Sequence, residues 1–241
     1  MDGSQVPESL YLYGRSEFLG KFAGLESLPN YPFGLRFCDI LHYKVMENEK
    51  VRDDESVRTF FLHRDFFTIT VNGITLNAAS LADHPKVEVP VPRCFCLCLS
   101  TLADSDHMYD KFGADICLRV DVQHILEFLN NVLVAQHEQL QVLHGPIIYY
   151  APVQTSPPPS SDGLIFWKSS NFADESEYRI AIKCPAKYFI ADGQEYEVFR
   201  ADVPSYMQIG HKDPQLWPQV FPEFSLRSAR GFQKNRIAYG E

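Results

Sequence analysis

The residues best placed to do chemistry crowd into one stretch, Phe166-Trp167-Lys168-Ser169-Ser170-Asn171-Phe172-Ala173-Asp174-Glu175-Ser176-Glu177-Tyr178-Arg179-Ile180-Ala181-Ile182. From Glu175 onward the odd positions are Glu175, Glu177, Arg179 and Ala181, and the even ones Ser176, Tyr178, Ile180 and Ile182. A strand sends alternate side chains to opposite faces. The Tyr178, Ile180, Ile182 face therefore suits a core, while two carboxylates and a guanidinium share the other face. Carboxylates two residues apart repel, which raises one of their pKa values. Such a pair belongs on a solvated edge with Arg179 as counter-ion, or in a site that uses the charge. The Trp167-Lys168 pair just upstream favours the site.

The elements that must position this stretch follow from pattern and punctuation. Residues 9–16 read as an aromatic strand ending in a turn. Residues 17–28 read as a short helix with Ser16 as N-cap, broken by the Pro and Gly residues of 29–34. Residues 35–45 are apolar and left unassigned. The charge run 47–55 reads as a solvated loop or helix end. Strands are expected at 57–61 and 66–76, the second folded at Asn72-Gly73, a strong hairpin signal. Pro85, Pro90 and Pro92 mark an extended connector. Residues 93–100 read as a buried strand with Cys94, Cys96 and Cys98 on one face. Alternate strand positions stand about 7 Å apart, and no His-x-His or Cys-x-x-Cys set lies nearby. The three thiols thus read as small core residues rather than zinc ligands. A loop at 101–106, one helical turn at 107–112 stopped by Gly113, and a strand at 114–120 follow. Asp121 is expected to cap the longest helix, 122–143, with Ile125, Leu126, Leu129, Val132 and Leu133 at helical spacing. His124, His137 and His144 on or beside it read as surface or cap residues. Gly145-Pro146 would end that helix before a strand at 147–151. A loop spans 155–163, strands at 186–190 and 196–201 form a hairpin about Asp192-Gly193, and the tail ends in a basic segment, 227–236.

At 241 residues, 45% hydrophobic and 22% charged, the composition is that of an ordinary globular protein. The formal net charge of −9 and pI of about 5.4 disfavour broad electrostatic binding to nucleic acid or anionic membrane. No charged-then-apolar leader and no run of about 18 apolar residues is present, so no membrane partner is expected and the chain is expected to be cytoplasmic. Its six cysteines then read as reduced thiols. The expected layout is a flexible segment 1–9 followed by a single α+β domain, 10–241, with a mixed sheet that can be split and one long helix. No repeat, P-loop, GxSxG or Rossmann glycine pattern occurs.

The order of several short motifs resembles a widespread bacterial family of unknown function. That family opens with a Leu-Tyr-Lys-Tyr-Arg-Ser type strand, matched here by Leu10-Tyr11-Leu12-Tyr13-Gly14-Arg15-Ser16. Its Cys-Phe-Ser strand is matched by Cys96-Leu97-Cys98-Leu99-Ser100. Its aromatic turn, glycine and apolar strand ending in Asp are matched from Met108 through Asp121. Its closing Lys and Glu-x-Glu-aromatic-Arg are matched by Lys168 and by Phe172 through Arg179. The resemblance covers residues 10 to about 185. It departs at the inserted Gly14, at Leu12 in place of a basic residue, and at Tyr109 and Phe112 in place of Trp and Tyr.

The order strand-Arg, strand-Ser, strand-Glu-x-Glu is also similar to ADP-ribosyltransferases of the Arg-Ser-Glu type, whose split mixed sheet surrounds an NAD cleft. That resemblance implies NAD as substrate, no metal, and transfer of ADP-ribose to a protein or nucleic-acid acceptor, as by a toxin or defence effector. It implies that Glu177 holds the ribose hydroxyl and stabilises the oxocarbenium-like charge. Glu175 would orient or deprotonate the acceptor, Arg15 would fork a phosphate, and Ser100 would support the glutamate. Tyr13 or Tyr109 would stack on nicotinamide, and Lys168 joins the cofactor-binding set. Three alternatives stay open: an interaction or inhibitor protein with a solvated charged strand, a nuclease-like toxin using acidic residues and Lys168 around Mg²⁺, and NAD hydrolysis without an acceptor.

Overall fold

The computed structural model describes residues 6–20, 34–45, 53–76, 83–131, 140–183, 190–192, 196–199, 206–211, 220–221, 223–228 and 231–236. In chain order the strands are β1 (Leu10–Gly14), β2 (Gly34–Asp39), β3 (Val57–Leu62), β4 (Ile69–Val71), β5 (Ile74–Leu76), β6 (Lys86–Pro90), β7 (Cys94–Ser100), β8 (Ile116–Val120) and β9 (Gln141–Pro146). They continue with β10 (Ile148–Tyr150), β11 (Val153–Gln154), β12 (Trp167–Ser169), β13 (Glu177–Lys183), β14 (Ile190–Asp192), β15 (Tyr196–Phe199), β16 (Tyr206–His211), β17 (Glu223–Ser228) and β18 (Gly231–Arg236). The α-helices are α1 (Ser16–Leu19), α2 (Asp106–Phe112) and α3 (Val122–Leu129). Strands and helices together make an α+β fold with mixed sheets.

The largest sheet is organised on β7. One edge of β7 pairs antiparallel with β13 over seven positions, from Glu177↔Ser100 to Lys183↔Cys94, and β9 lies beyond β13. The other edge is shared: β2 pairs at Cys38↔Cys96 and Asp39↔Phe95, and β1 only at Tyr11↔Ser100. Among the described residues no strand pairs with that edge at Leu97, Cys98 and Leu99, so the sheet splits there. From the split one wing runs β2-β16-β15-β14 and the other β1-β8-β17-β18. The described pairs of this sheet are antiparallel, and the mixed pairing lies in the small β11-β3-β6 sheet, parallel at β11–β3 and antiparallel at β3–β6.

The alternation expected of β13 and β7 holds. Tyr178, Ile180 and Ile182 join Phe95, Leu97 and Leu99 in a core closed by Val122, Ile125, Leu126 and Leu129 of α3. The opposite face carries Cys94, Cys96, Cys98 and Ala181 into a second core with Ile40, Phe60, Leu164 and Ile165. Local signals act as read at several ends. Asp121 accepts from the His124 amide at the start of α3. Gly113, at φ 60, ends α2. Asn72 and Gly73, at φ 50 and 79, turn the β4–β5 hairpin, as a two-residue turn with both residues at positive φ requires.

Several expectations are corrected. The segment 122–143 is not helical to its end: α3 spans Val122–Leu129, the longest α-helix among the described residues, a π turn continues it through Asn130 and Asn131, and 141–146 is β9 on the edge of β13. The apolar run at 140–143 fits either period, and Gly145-Pro146 sits within an edge strand, where proline is tolerated, rather than after a helix. The described part of the 17–28 helix is α1, with Arg15 at the N-cap position and no side-chain cap. The Ser16 hydroxyl bonds Asp115 instead, and residues 21–28 lie outside the described residues. The proline connector contains β6, paired to β3. Residues 132–139, which include His137, and the start of the 186–190 strand also lie outside the described residues. The strand at 190–192 does pair with 196–199.

Candidate functional site

The face of β13 opposite Tyr178, Ile180 and Ile182 holds Glu177 and Arg179, and both are buried: Arg179 is 0% exposed and Glu177 5%. The solvated-edge reading of this strand is therefore corrected. Burying a charge is costly unless it is paired, and each group here is paired. Arg179 donates through Nε to Glu177 Oε1 at 2.8 Å, and through its two terminal nitrogens to Glu55 Oε2 and Oε1 at 2.6 and 2.9 Å. It also bonds the Ile165 carbonyl at 2.7 Å. Lys168, on β12, donates to Glu175 Oε2 at 2.6 Å and Glu177 Oε2 at 3.0 Å, and stands 3.5 Å from Glu55 Oε1. Arg58, on β3, meets Glu55 Oε2 at 3.0 Å. Lys111, on α2, bonds both oxygens of Asp174 and lies 3.0 Å from Glu175 Oε1, off the line of a hydrogen bond. His107 completes the rim, 2.5 Å from Asp174. The ammoniums of Lys168 and Lys111 lie 4.8 and 5.4 Å from the Phe172 ring centroid, within cation–π range.

Glu175 does not belong to the strand. It ends a 3-10 helix over Ser170–Glu175, and Ser176 then takes φ 45. That left-handed residue breaks the alternation, yet it turns Glu175 so that both glutamates reach Lys168. The turn is pinned by Ser100, whose hydroxyl donates to the Glu175 carbonyl at 2.7 Å and accepts from the Leu102 amide at 3.1 Å. Tyr149 supplies a second pin, its hydroxyl accepting from the Glu177 amide at 2.8 Å.

The electrostatics follow from this packing. Burial alone would raise the Glu177 carboxyl, but Arg179 and Lys168 outweigh it and hold the group below its usual range. At Glu55 burial is likewise overcome by Arg179, Lys168 and Arg58, and the group stays ionised well below the ordinary value. Burial works against the Lys168 cation, while Glu177, Glu55 and Glu175 push its pKa well above the usual lysine value. Burial pushes Tyr149 up to about 12 and also raises the phenols of Tyr13 and Tyr43 and the thiol of Cys98.

The cluster forms the floor of a cleft of about 80 Å³ at the split in the sheet. Lys168, Glu175 and Glu177 face it, Tyr11, Tyr13, Tyr43, Met108 and Phe112 wall it, and Cys98, Leu99 and Ser100 line the β7 edge. Of the residues singled out by sequence, Glu177, Glu175, Ser100, Lys168 and Tyr13 thus come together. Tyr109 stands behind Tyr13, edge to face at 5.1 Å, with its hydroxyl on the Ser225 carbonyl. Arg15 lies outside the lining, its side chain 64% exposed and paired with Glu17.

Sequence reading missed Glu55, Arg58, Lys111 and Asp174. A usable signal existed for one pair: Arg58 falls between Val57 and Phe60 in an apolar strand, and a buried arginine demands a nearby carboxylate. Glu55, read as part of a solvated charge run, is 0% exposed. The thiols of Cys94 and Cys96 approach to 3.5 Å, closer than the spacing of their strand positions. Among the described residues no group of three or more His, Cys, Asp or Glu side chains is arranged to hold a metal ion, and no described helix is long and apolar enough to cross a membrane. Comparison of the chain with protein-family models, curated proteins and solved structures returned no match.

Proposed function

We propose that the chain cleaves the nicotinamide–ribose bond of NAD and passes the ADP-ribosyl group to an acceptor. The observation that supports this reading is the polarity of the cleft. Its floor presents two carboxylates and one ammonium, a net negative face, and its walls are three tyrosines and a phenylalanine. Arg58 and Arg179, with the Glu55 carboxylate between them, stand behind that face. A planar cationic ring is the ligand such a site suits: the aromatic walls stack on it and attract its charge, and the acidic floor favours the positive form. Nicotinamide in NAD is such a ring, and bond cleavage passes through a second cation, the oxocarbenium. Glu177, held ionised in a water-poor site, is the group to stabilise it. Tyr13 and Tyr11 are the stacking candidates. Ser100 supports Glu175 through its carbonyl. Arg15, on the surface, carries no role in this reading.

The test is nicotinamide release from NAD by the purified protein, compared with Glu177→Gln. Removing a charge aimed at a developing cation costs about 10²–10³ in rate. A folded Glu177→Gln protein that releases nicotinamide as fast as wild type refutes the assignment. Internal pairing of every charge in the cluster favours a second reading, a non-catalytic interaction protein in which the cluster is a structural pin. That reading predicts no release from either protein.

A further inference from the structure

We infer that water is the acceptor, and that Lys111 makes it so by withholding Glu175 from any larger nucleophile. The inference rests on the proposed NAD cleavage. A transferase needs a carboxylate free to orient and deprotonate the incoming acceptor. Glu175 is the second carboxylate of this cleft, but it is 4% exposed and both its oxygens face ammoniums, Lys168 at 2.6 Å and Lys111 at 3.0 Å. Lys111 is itself 7% exposed and anchored by both oxygens of Asp174. It rides on α2, whose Met108 and Phe112 wall the same cleft, so the wall and the clamp on Glu175 are one element. A cleft of about 80 Å³ has room for a few waters, since about 10–15 Å³ of such space holds one.

In the reaction the C1′–N1 bond breaks with its electron pair passing to the ring nitrogen, which leaves as neutral nicotinamide. A water oxygen forms the new bond to C1′, and its proton is released to solvent. Lys111 touches no reacting atom and is a positioning residue. Its effect is on the partition of the ribosyl cation between water and other nucleophiles.

The experiment incubates the full chain with NAD labelled in the adenylate half, with and without agmatine as a guanidinium acceptor. It measures nicotinamide, free ADP-ribose, and label on protein and on agmatine. Wild type is expected to give nicotinamide and free ADP-ribose in equal amounts, with almost no label on protein or agmatine. Lys111→Gln removes the ammonium 3.0 Å from Glu175 Oε1, and the agmatine share should rise about tenfold, well within the attraction of two unit charges at that distance. Lys111→Arg should restore the wild-type partition. A merely structural role for Lys111 would lower all products together and leave the partition unchanged, which overturns its assignment. If Lys111→Gln fails to fold, Asp174→Asn, at a side chain 41% exposed, loosens the same clamp and should shift the partition in the same direction. Wild type that places most label on protein or agmatine overturns the inference while leaving NAD cleavage standing. Absence of nicotinamide release removes the cleavage reading itself, and the inference with it.

Discussion

Glu55→Gln tests whether the buried cluster is the electrostatic unit described. Glu55 is fully buried and faces three cations: Arg179 at 2.6 and 2.9 Å, Arg58 at 3.0 Å and Lys168 at 3.5 Å. All three are at least 95% buried. Glutamine keeps the shape and one acceptor oxygen but removes the charge, leaving the cations in excess over Glu175 and Glu177. Breaking a buried pair in this way costs about 3–5 kcal/mol. For a chain of this size that corresponds to a fall in Tm of about 6–20 °C, read by circular dichroism at pH 7. Adding Arg58→Met removes the cation most dependent on Glu55, so the double variant should be less destabilised than the sum of the two single variants. The pH dependence has a definite sign. The folded Glu55 carboxyl lies below its ordinary value of 4.5 because its cations outweigh burial, so its stabilisation is fully present above that value and is lost as pH falls through and below it. Wild type should lose stability on acidification more steeply than Glu55→Gln. A Tm change under about 2 °C at pH 7, or identical acid slopes, would refute the account.

Two smaller perturbations probe how the floor and the helix that backs it are held. Ser100→Ala strands the Glu175 carbonyl and the Leu102 amide, and should destabilise by about 1–3 kcal/mol in urea unfolding; a neutral result would mean that the turn does not depend on this hydroxyl. Asp121→Ala removes the cap on the His124 amide and should cost about 1 kcal/mol, seen as a lower urea midpoint with an unchanged m-value.

What the sequence disclosed followed local rules. Period two in 177–183 told which side chains of β13 enter the core, because both faces of that strand are filled by opposite chemistries. Asn72-Gly73, Gly113 and Asp121 marked their turn, helix end and cap through backbone requirements that need no tertiary information. The failures have equally physical causes. The alternation was extended back through Ser176, whose left-handed conformation no pattern marks. Residues 141–146 form an edge strand because β13 offers an edge, a tertiary fact. Glu55 is 124 residues from Arg179, and nothing local distinguishes it from the other acids of its run. Arg15 adjoins the aromatic strand in sequence, but it stands at the N-cap position of α1 and pairs with Glu17 on the surface, which proximity along the chain does not reveal.

The buried charges bear on function for a reason separate from stability. Apolar residues of similar volume stabilise a core as well as a buried ion network, and often better. Folding alone therefore gives little reason for Glu55, Arg58, Lys168, Glu175, Glu177 and Arg179 to occupy one interior region. Their arrangement is directional. Arg58, Glu55 and Arg179 lie behind, while Lys168, Glu175 and Glu177 form the surface of the cleft. The cleft itself lies where β1 and β2, among the described residues, leave the β7 edge between them unpaired. Apolar side chains could fill that gap, but they could not present an ionised carboxylate, that of Glu177, held in place before any ligand arrives. Fixed charge in a site of low dielectric acts on a developing cation without the reorganisation that water requires. The layered order of the cluster is thus what a cation-stabilising floor calls for, and it gives the NAD-cleavage reading its physical support.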